Sequence, residues 1–181
     1  MTDTRLSDLG NKELKGAASG KTALSQARRA AFHILARRGH SRLEVKEKLQ
    51  RRGFPPKIVS AVSKELEAGD YLDDRLFALT WAQGAVERRH LGPLALRTGL
   101  RLKGIDREII EEVLQKVYAE KDEEQVAVAI GRRRLERMQP GGPEGSRRRL
   151  ASYLMRKGFT SEVIGKVLRS IGREKNGDDL E

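Results

Sequence analysis

The 181-residue sequence contains no cysteine. That removes disulfides, thiolate zinc sites and thiol nucleophiles together. Its three histidines, His33, His40 and His90, are too scattered for a His-rich metal site. Only eight residues are aromatic: four Phe, three Tyr and one Trp. A protein that grips single strands by base stacking needs a platform of rings, so RRM-like and OB-like readings are disfavoured. No uncharged apolar run approaches the roughly 18 residues of a membrane span. Met1-Thr-Asp-Thr lacks the basic-then-apolar layout of a secretory signal. There is no HExxH, no P-loop and no paired Ser and His at a believable site. These absences predict a cytoplasmic, non-enzymatic protein without metal or cofactor.

What the chain has is basic charge: 37 Lys or Arg against 26 Asp or Glu, a net of +11. Charge fixes solubility and partner class rather than fold, and this excess suits a nucleic-acid backbone or an acidic protein face.

The second positive feature is an internal repeat. Leu49-Gln-Arg-Arg-Gly53-Phe54, Leu100-Arg-Leu-Lys-Gly104-Ile105 and Leu154-Met-Arg-Lys-Gly158-Phe159 share one pattern of Leu, two variable positions, a basic residue, Gly and a large apolar residue. That pattern marks a helix C-terminus. Glycine takes the left-handed position, and the next apolar residue folds back on the Leu four residues before that glycine. Basic residues there complement the helix dipole. The following segment keeps an apolar stripe of helical period in each copy: Ile58, Val59, Val62, Leu66; Ile109, Ile110, Val113, Leu114, Val117; and Val163, Ile164, Val167, Leu168, Ile171. Pro55-Pro56, Asp106 and Thr160 are its start signals. The helix ending at each glycine starts at Ser41-Arg-Leu-Glu44, at Gly92-Pro93 and at Ser146. A further helix precedes it, with faces at Ala27, Ala30, Ala31, Ile34 and Leu35, at Phe77, Trp81, Gly84 and Ala85, and at Val126, Ala127 and Ile130.

The predicted fold class is therefore all-α: three tandem three-helix repeats forming an elongated, curved body. The repeats fall at 25–72, 73–121 and 122–172. They lie between a flexible N-terminal arm at 1–24, holding Gly10, Gly16 and Gly20, and an acidic tail at 173–181. Gln139-Pro-Gly-Gly-Pro143 reads as a lengthened loop of the third repeat. Residues 27–72 and 123–172 each hold 11 basic and 5 acidic residues, while residues 73–122 hold 9 of each. Basic ends around a neutral centre suit contact with an extended polyanion at two places.

The candidate contact residues are the basic clusters at helix ends. In the first repeat these are Arg37, Arg38, Arg51 and Arg52; in the second, Arg88 and Arg89. In the third they are Arg132, Arg133, Arg134, Arg147, Arg148, Arg149, Arg156 and Lys157. The two arginine triplets have no acidic neighbours in sequence and are expected to cluster near the long loop. The planar arginine fork suits phosphate and carboxylate alike. A plain, sequence-independent DNA-binding protein of helix-turn-helix-like units is the competing reading. No helix, however, carries an evident row of base-reading side chains.

The stretch Ala68-Gly-Asp-Tyr-Leu-Asp-Asp-Arg-Leu-Phe-Ala78, with Gly92-Pro93 and Leu102-Lys-Gly-Ile105, resembles the RecX family of bacterial regulators of the recombinase RecA. The family order is Gly-Tyr-Leu-Asp-Asp, two variable positions, Phe-Ala, then Lys-Gly-Ile; here Asp70 is inserted between Gly69 and Tyr71. The resemblance spans about residues 27–172. It implies tandem three-helix repeats lying along the RecA filament on DNA, with inhibition of RecA's ATPase, co-protease and strand-exchange activities. It supplies no catalytic residue. Within Tyr71-Leu72-Asp73-Asp74, the residue types favour a structural role in which Asp73 or Asp74 caps the helix containing Phe77 and Trp81. A monomer is expected.

Overall fold

The structure, a computed structural model, describes the backbone of residues 4–138 and 142–177 and the side chains of residues 20–138 and 142–171. Among the described residues there are nine helices and no strand. They are α1 (Thr4–Leu35), α2 (Arg42–Arg51), α3 (Pro56–Ala68), α4 (Asp74–Arg89), α5 (Pro93–Leu102), α6 (Arg107–Glu120), α7 (Glu123–Glu136), α8 (Pro143–Lys157) and α9 (Ser161–Gly177). Taken in threes, they are the three repeats. They pack as two units, Met1–Phe77 and Ala78–Glu181, so the second and third repeats share the second unit.

The three glycine turns have the predicted conformation. Gly53, Gly104 and Gly158 have φ of +86°, +74° and +86°. In each, the residue after Gly donates its N–H back to the Leu five residues earlier. These bonds are Phe54 to Leu49 (3.3 Å), Ile105 to Leu100 (3.2 Å) and Phe159 to Leu154 (3.2 Å). The Gly N–H itself bonds three residues back, completing the Schellman arrangement that satisfies the last carbonyls of the helix. A fourth turn of this kind closes α3, where Tyr71 donates to Leu66 (2.9 Å) and Asp70 to Glu67 (3.1 Å). Its left-handed residue is Asp70, at φ +57°. The residue inserted relative to the family pattern thus occupies the position that glycine holds in the other three turns.

Each repeat buries its apolar stripes. In the first unit Ala27, Ala31 and Ile34 meet Val45, Leu49, Val59, Val62, Leu66 and Leu72. In the second repeat Ala78, Ala82, Ala85 and Val86 of α4 are buried, as are Leu96, Leu100, Ile105 and the stripe of α6. Phe77 is buried as expected, and Trp81 is partly exposed at the edge of that face. In the third, Ala127 and Ile130 pack with Leu150, Leu154, Phe159 and the stripe of α9. Each fully buried Leu or Ile contributes about 1.5–3 kcal/mol by leaving water.

Helix starts follow the sequence signals with one exception. The Ser41 hydroxyl accepts the Glu44 N–H at 3.2 Å, and Gly92 and Asp106 stand at the N-cap positions of α5 and α6. Thr160 Oγ1 accepts the Val163 N–H at 3.3 Å. Ser146, in contrast, is not a start: α8 begins at Pro143 with Gly142 as its N-cap, and Ser146 lies inside it. Gly142-Pro143 repeats the Gly92-Pro93 signal, because proline lacks the N–H that a first helical residue leaves unused. Residues 139–141 of the expected loop lie outside the described residues.

The ends of the chain also differ from the expectation. Residues 1–24, read as a flexible arm, have a helical backbone from Thr4. The described side chains of α1 enter the core only from Leu24 and Ala27 onward. Upstream of these the three glycines suggested an arm, but glycine lowers helix propensity by only about 1 kcal/mol. At the other end α9 continues to Gly177; the side chains of the acidic tail lie outside the described residues.

Candidate nucleic-acid interface

In the Tyr71-Leu72-Asp73-Asp74 segment the two acids divide the work. Asp73 Oδ1 accepts the Arg75 and Leu76 N–H groups at 2.8 and 3.0 Å, capping α4. The Asp74 side chain is only 4% exposed. It accepts from Arg42 twice, from the backbone N–H at 2.9 Å and from Nε at 2.8 Å. It thereby ties the start of α2 to the start of α4 across 32 residues of sequence. Tyr71 is exposed and meets Phe32 edge-on, with ring centroids 5.0 Å apart. Leu72 joins the first core, and Phe77 packs beside Gly39.

The basic candidates of the first repeat are mostly engaged locally. Arg38 forks onto the Glu44 carboxylate (3.0 and 3.4 Å) and also donates to the Gly39 carbonyl. Arg51 pairs with Glu47 one turn away at 3.4 Å, and Arg52 donates to the Ala30 carbonyl. Arg37 is exposed just beyond α1.

The second unit gathers its cations differently. Lys103, immediately before the Gly104 turn, lies 5.6 Å from the centroid of the Trp81 ring, and Arg89 lies 5.8 Å from it. Lys157, immediately before the Gly158 turn, lies 5.8 Å from the Tyr153 ring, and Arg134 lies 5.3 Å from it. These spacings are within cation–π reach. The two groups adjoin, because Lys157 Nζ donates to the Arg89 carbonyl at 2.7 Å. Four cations and two rings from α4, α5, α7 and α8, with the turn residues that follow them, therefore make one ridge. The indole fits because Gly99 of α5 has no side chain: a Cβ there would collide with the ring.

The backbone beneath the ridge is joined just as closely. Gly92 donates to the Lys157 carbonyl at 2.8 Å, and Leu94 donates to the Gly158 carbonyl at 3.0 Å. The first N–H groups of α5, which no side chain caps, are thus satisfied by the last carbonyls of α8. The approach requires glycine on both sides. A Cβ on Gly92 would lie 2.5 Å from the Gly158 carbonyl carbon, and a Cβ on Gly158 would fall inside Ala95.

The remaining candidates stand apart from this ridge. Arg88 folds back over Gly84 of its own helix. Arg133, Arg147, Arg148 and Arg156 are exposed, Arg149 donates to the Gly145 carbonyl, and Arg132 lines a shallow cleft with Glu124. The triplets 132–134 and 147–149 both lie within helices, where successive residues turn by about 100°. Three adjacent arginines in a helix therefore fan around its axis, so the members of one triplet point in different directions. Sequence reasoning overlooked Lys103, Trp81, Tyr153 and Gly99. The one available signal was the basic residue that precedes the turn glycine in every repeat.

Fold and surface together define an all-helical tandem-repeat protein with a ridge of ring-mounted cations. Comparison with known proteins then places it: the chain belongs to the RecX family. Its first, second and third three-helix domains match residues 27–66, 73–114 and 122–168. A regulatory protein RecX of Halorhodospira halophila is 38% identical over 146 residues, 78% of this chain and 86% of that relative. Another, from Amycolatopsis mediterranei, is 30% identical over 153 residues, covering 82% and 87%. The crystal structure of RecX from Lactobacillus salivarius shares the fold, with a TM-score of 0.74 at 21% identity over 84% of this chain and 98% of that one.

Proposed function

We propose that this protein is a non-enzymatic, cytoplasmic regulator that binds the RecA recombinase filament on DNA and chiefly inhibits its ATPase, co-protease and strand-exchange activities. Family membership and the sequence resemblance supply the target. The observation that carries the DNA contact is the ridge of Arg89, Lys103, Arg134 and Lys157 on Trp81 and Tyr153. Each ring has two of these cations over it, which leaves the charges, not the ring faces, to meet a partner. The ridge therefore reads backbone charge and leaves base identity unread.

The test is a titration of RecA's DNA-dependent ATP hydrolysis, with binding followed through Trp81, the sole tryptophan of the chain. Hydrolysis should slow at near-stoichiometric ratios. The triple variant R89A/R134A/K157A should lose that effect, and its DNA affinity should depend less steeply on salt, by about 2–3 units of log–log slope. DNA binding with unchanged ATP hydrolysis would instead support the plain, sequence-independent DNA-binding reading.

A further inference from the structure

The second repeat is neutral overall, yet its neutrality hides an arginine-lined cleft. Between α5 and α6 lies a cleft of about 630 Å³ lined by Arg97, Arg101, Ile105, Arg107, Ile110 and Glu111. Ile105 and Ile110 form its floor, and three guanidinium groups stand around it. Arg97 is forked onto Glu111, with Nε and Nη2 donating to the two carboxylate oxygens at 2.9 and 2.8 Å. Arg101 and Arg107 are exposed and make no ion pair with any described residue.

The Arg97–Glu111 pair shows how this cleft receives a carboxylate: in plane, two-pronged, at ideal hydrogen-bond distance. Two more guanidiniums, Arg101 on α5 and Arg107 on α6, line the cleft without a forked partner of this kind, Arg107 acting on Glu111 only through its charge. A polyanionic duplex is a poor occupant, for two reasons. Glu111 sits among the arginines and opposes a continuous run of phosphates. The repeat, at 9 basic and 9 acidic residues, also provides no net field to draw one in. Discrete carboxylates flanked by aliphatic side chains suit both the guanidiniums and the isoleucine floor.

We propose that the α5–α6 cleft is a docking site for an acidic segment of a partner protein, its carboxylates paired with Arg101 and Arg107. The surface is distinct from the ridge, so this inference survives if the ridge proves not to bind DNA.

The experiment titrates the intact protein with a short peptide of Asp, Glu and Leu, reading the methyl NMR signals of Ile105 and Ile110 and the affinity. Controls are the same peptide with Asn and Gln replacing its acids, and an oligo-dT strand. The acidic peptide should shift both methyl signals, and the amide peptide and the oligonucleotide should leave them in place. R101E/R107E should weaken peptide binding about tenfold or more, since two charge-assisted contacts are reversed. E111Q should strengthen it about two- to threefold, because Arg97 is released and a repelling carboxylate is lost. Absence of methyl shifts with the acidic peptide, or shifts produced by the oligonucleotide or by the amide peptide, would overturn the proposal. So would weaker binding in E111Q.

Discussion

Gly53 and Gly158 share a backbone conformation and differ in surroundings, which makes them a matched pair. Both have φ +86°. A Cβ on Gly53 meets nothing within 4 Å, so Gly53→Ala should incur only the left-handed penalty, about 1–2 kcal/mol, partly offset by a less flexible unfolded chain. Gly158→Ala incurs the same penalty and then meets Ala95, with the new Cβ 2.9 Å from Ala95 Cα and closer still to its N and Cβ. Relief requires the end of α8 to withdraw from the start of α5. That breaks the Gly92–Lys157 and Leu94–Gly158 hydrogen bonds and leaves the donor of buried Gly92 unpaired. Each such loss is worth about 1–3 kcal/mol. Gly158→Ala should therefore cost about 3–8 kcal/mol in total. Urea unfolding followed by far-UV circular dichroism and by Trp81 fluorescence measures both, and Trp81 reports on the second unit alone. Equal losses in the two variants would refute the reasoning, since it rests on the contact and not on φ.

Other perturbations follow from single observations. Asp70→Gly should stabilise the first unit by up to about 1 kcal/mol, because Asp70 is a non-glycine residue in a left-handed turn; a lower melting temperature would contradict this. Arg42→Ala should destabilise it by about 2 kcal/mol, because Asp74 stays buried with only the Arg42 backbone N–H to hold it, and chemical denaturation reads the loss. His40 is buried, with Nδ1 bonded to the Arg38 carbonyl at 2.8 Å and Nε2 to Lys48 at 2.7 Å. Burial lowers its pKa below the usual histidine value, so the unfolded chain binds the proton first. The corresponding stability is present above about pH 6.5 and is lost as pH falls below it; His40→Gln should flatten that part of the stability–pH curve. Tyr118→Phe should cost about 1 kcal/mol of the second unit's stability, read by thermal melting, because the phenol donates to the Leu91 carbonyl at 2.7 Å from a half-buried site.

The parts of the fold that were legible are those written in short windows. Leu49-x-x-Arg-Gly-Phe and its two counterparts fix a left-handed turn from six consecutive residues, and the stripes after them fix a helix from the next dozen. Ser146 resembles a cap, but the Gly142-Pro143 pair, read in the sequence as loop, sets the start of α8. The capping role of the Asp73-Asp74 pair was readable; the reach of Asp74 to Arg42 was not, because a contact across 32 residues leaves no mark in either segment. Net charge is silent in a related way. A sum over a repeat discards direction: it shows neither that a helix spreads a triplet around its axis nor that three arginines of the neutral repeat share one cleft.

Charge and joint in the second unit are a single construction. Lys157 is the clearest case: its carbonyl receives the Gly92 N–H, its ammonium donates to the Arg89 carbonyl, and the same ammonium stands over Tyr153. The residue that closes α8 therefore also spaces two of the ridge cations. Cations gathered this closely repel, and only a rigid support keeps them together before an anion arrives. Binding then spends little on ordering long side chains, which otherwise costs about 0.5–1.5 kcal/mol for each one immobilised. A mutation at the joint should accordingly weaken ridge binding without removing a charge, and Gly158→Ala should do so where Gly53→Ala does not.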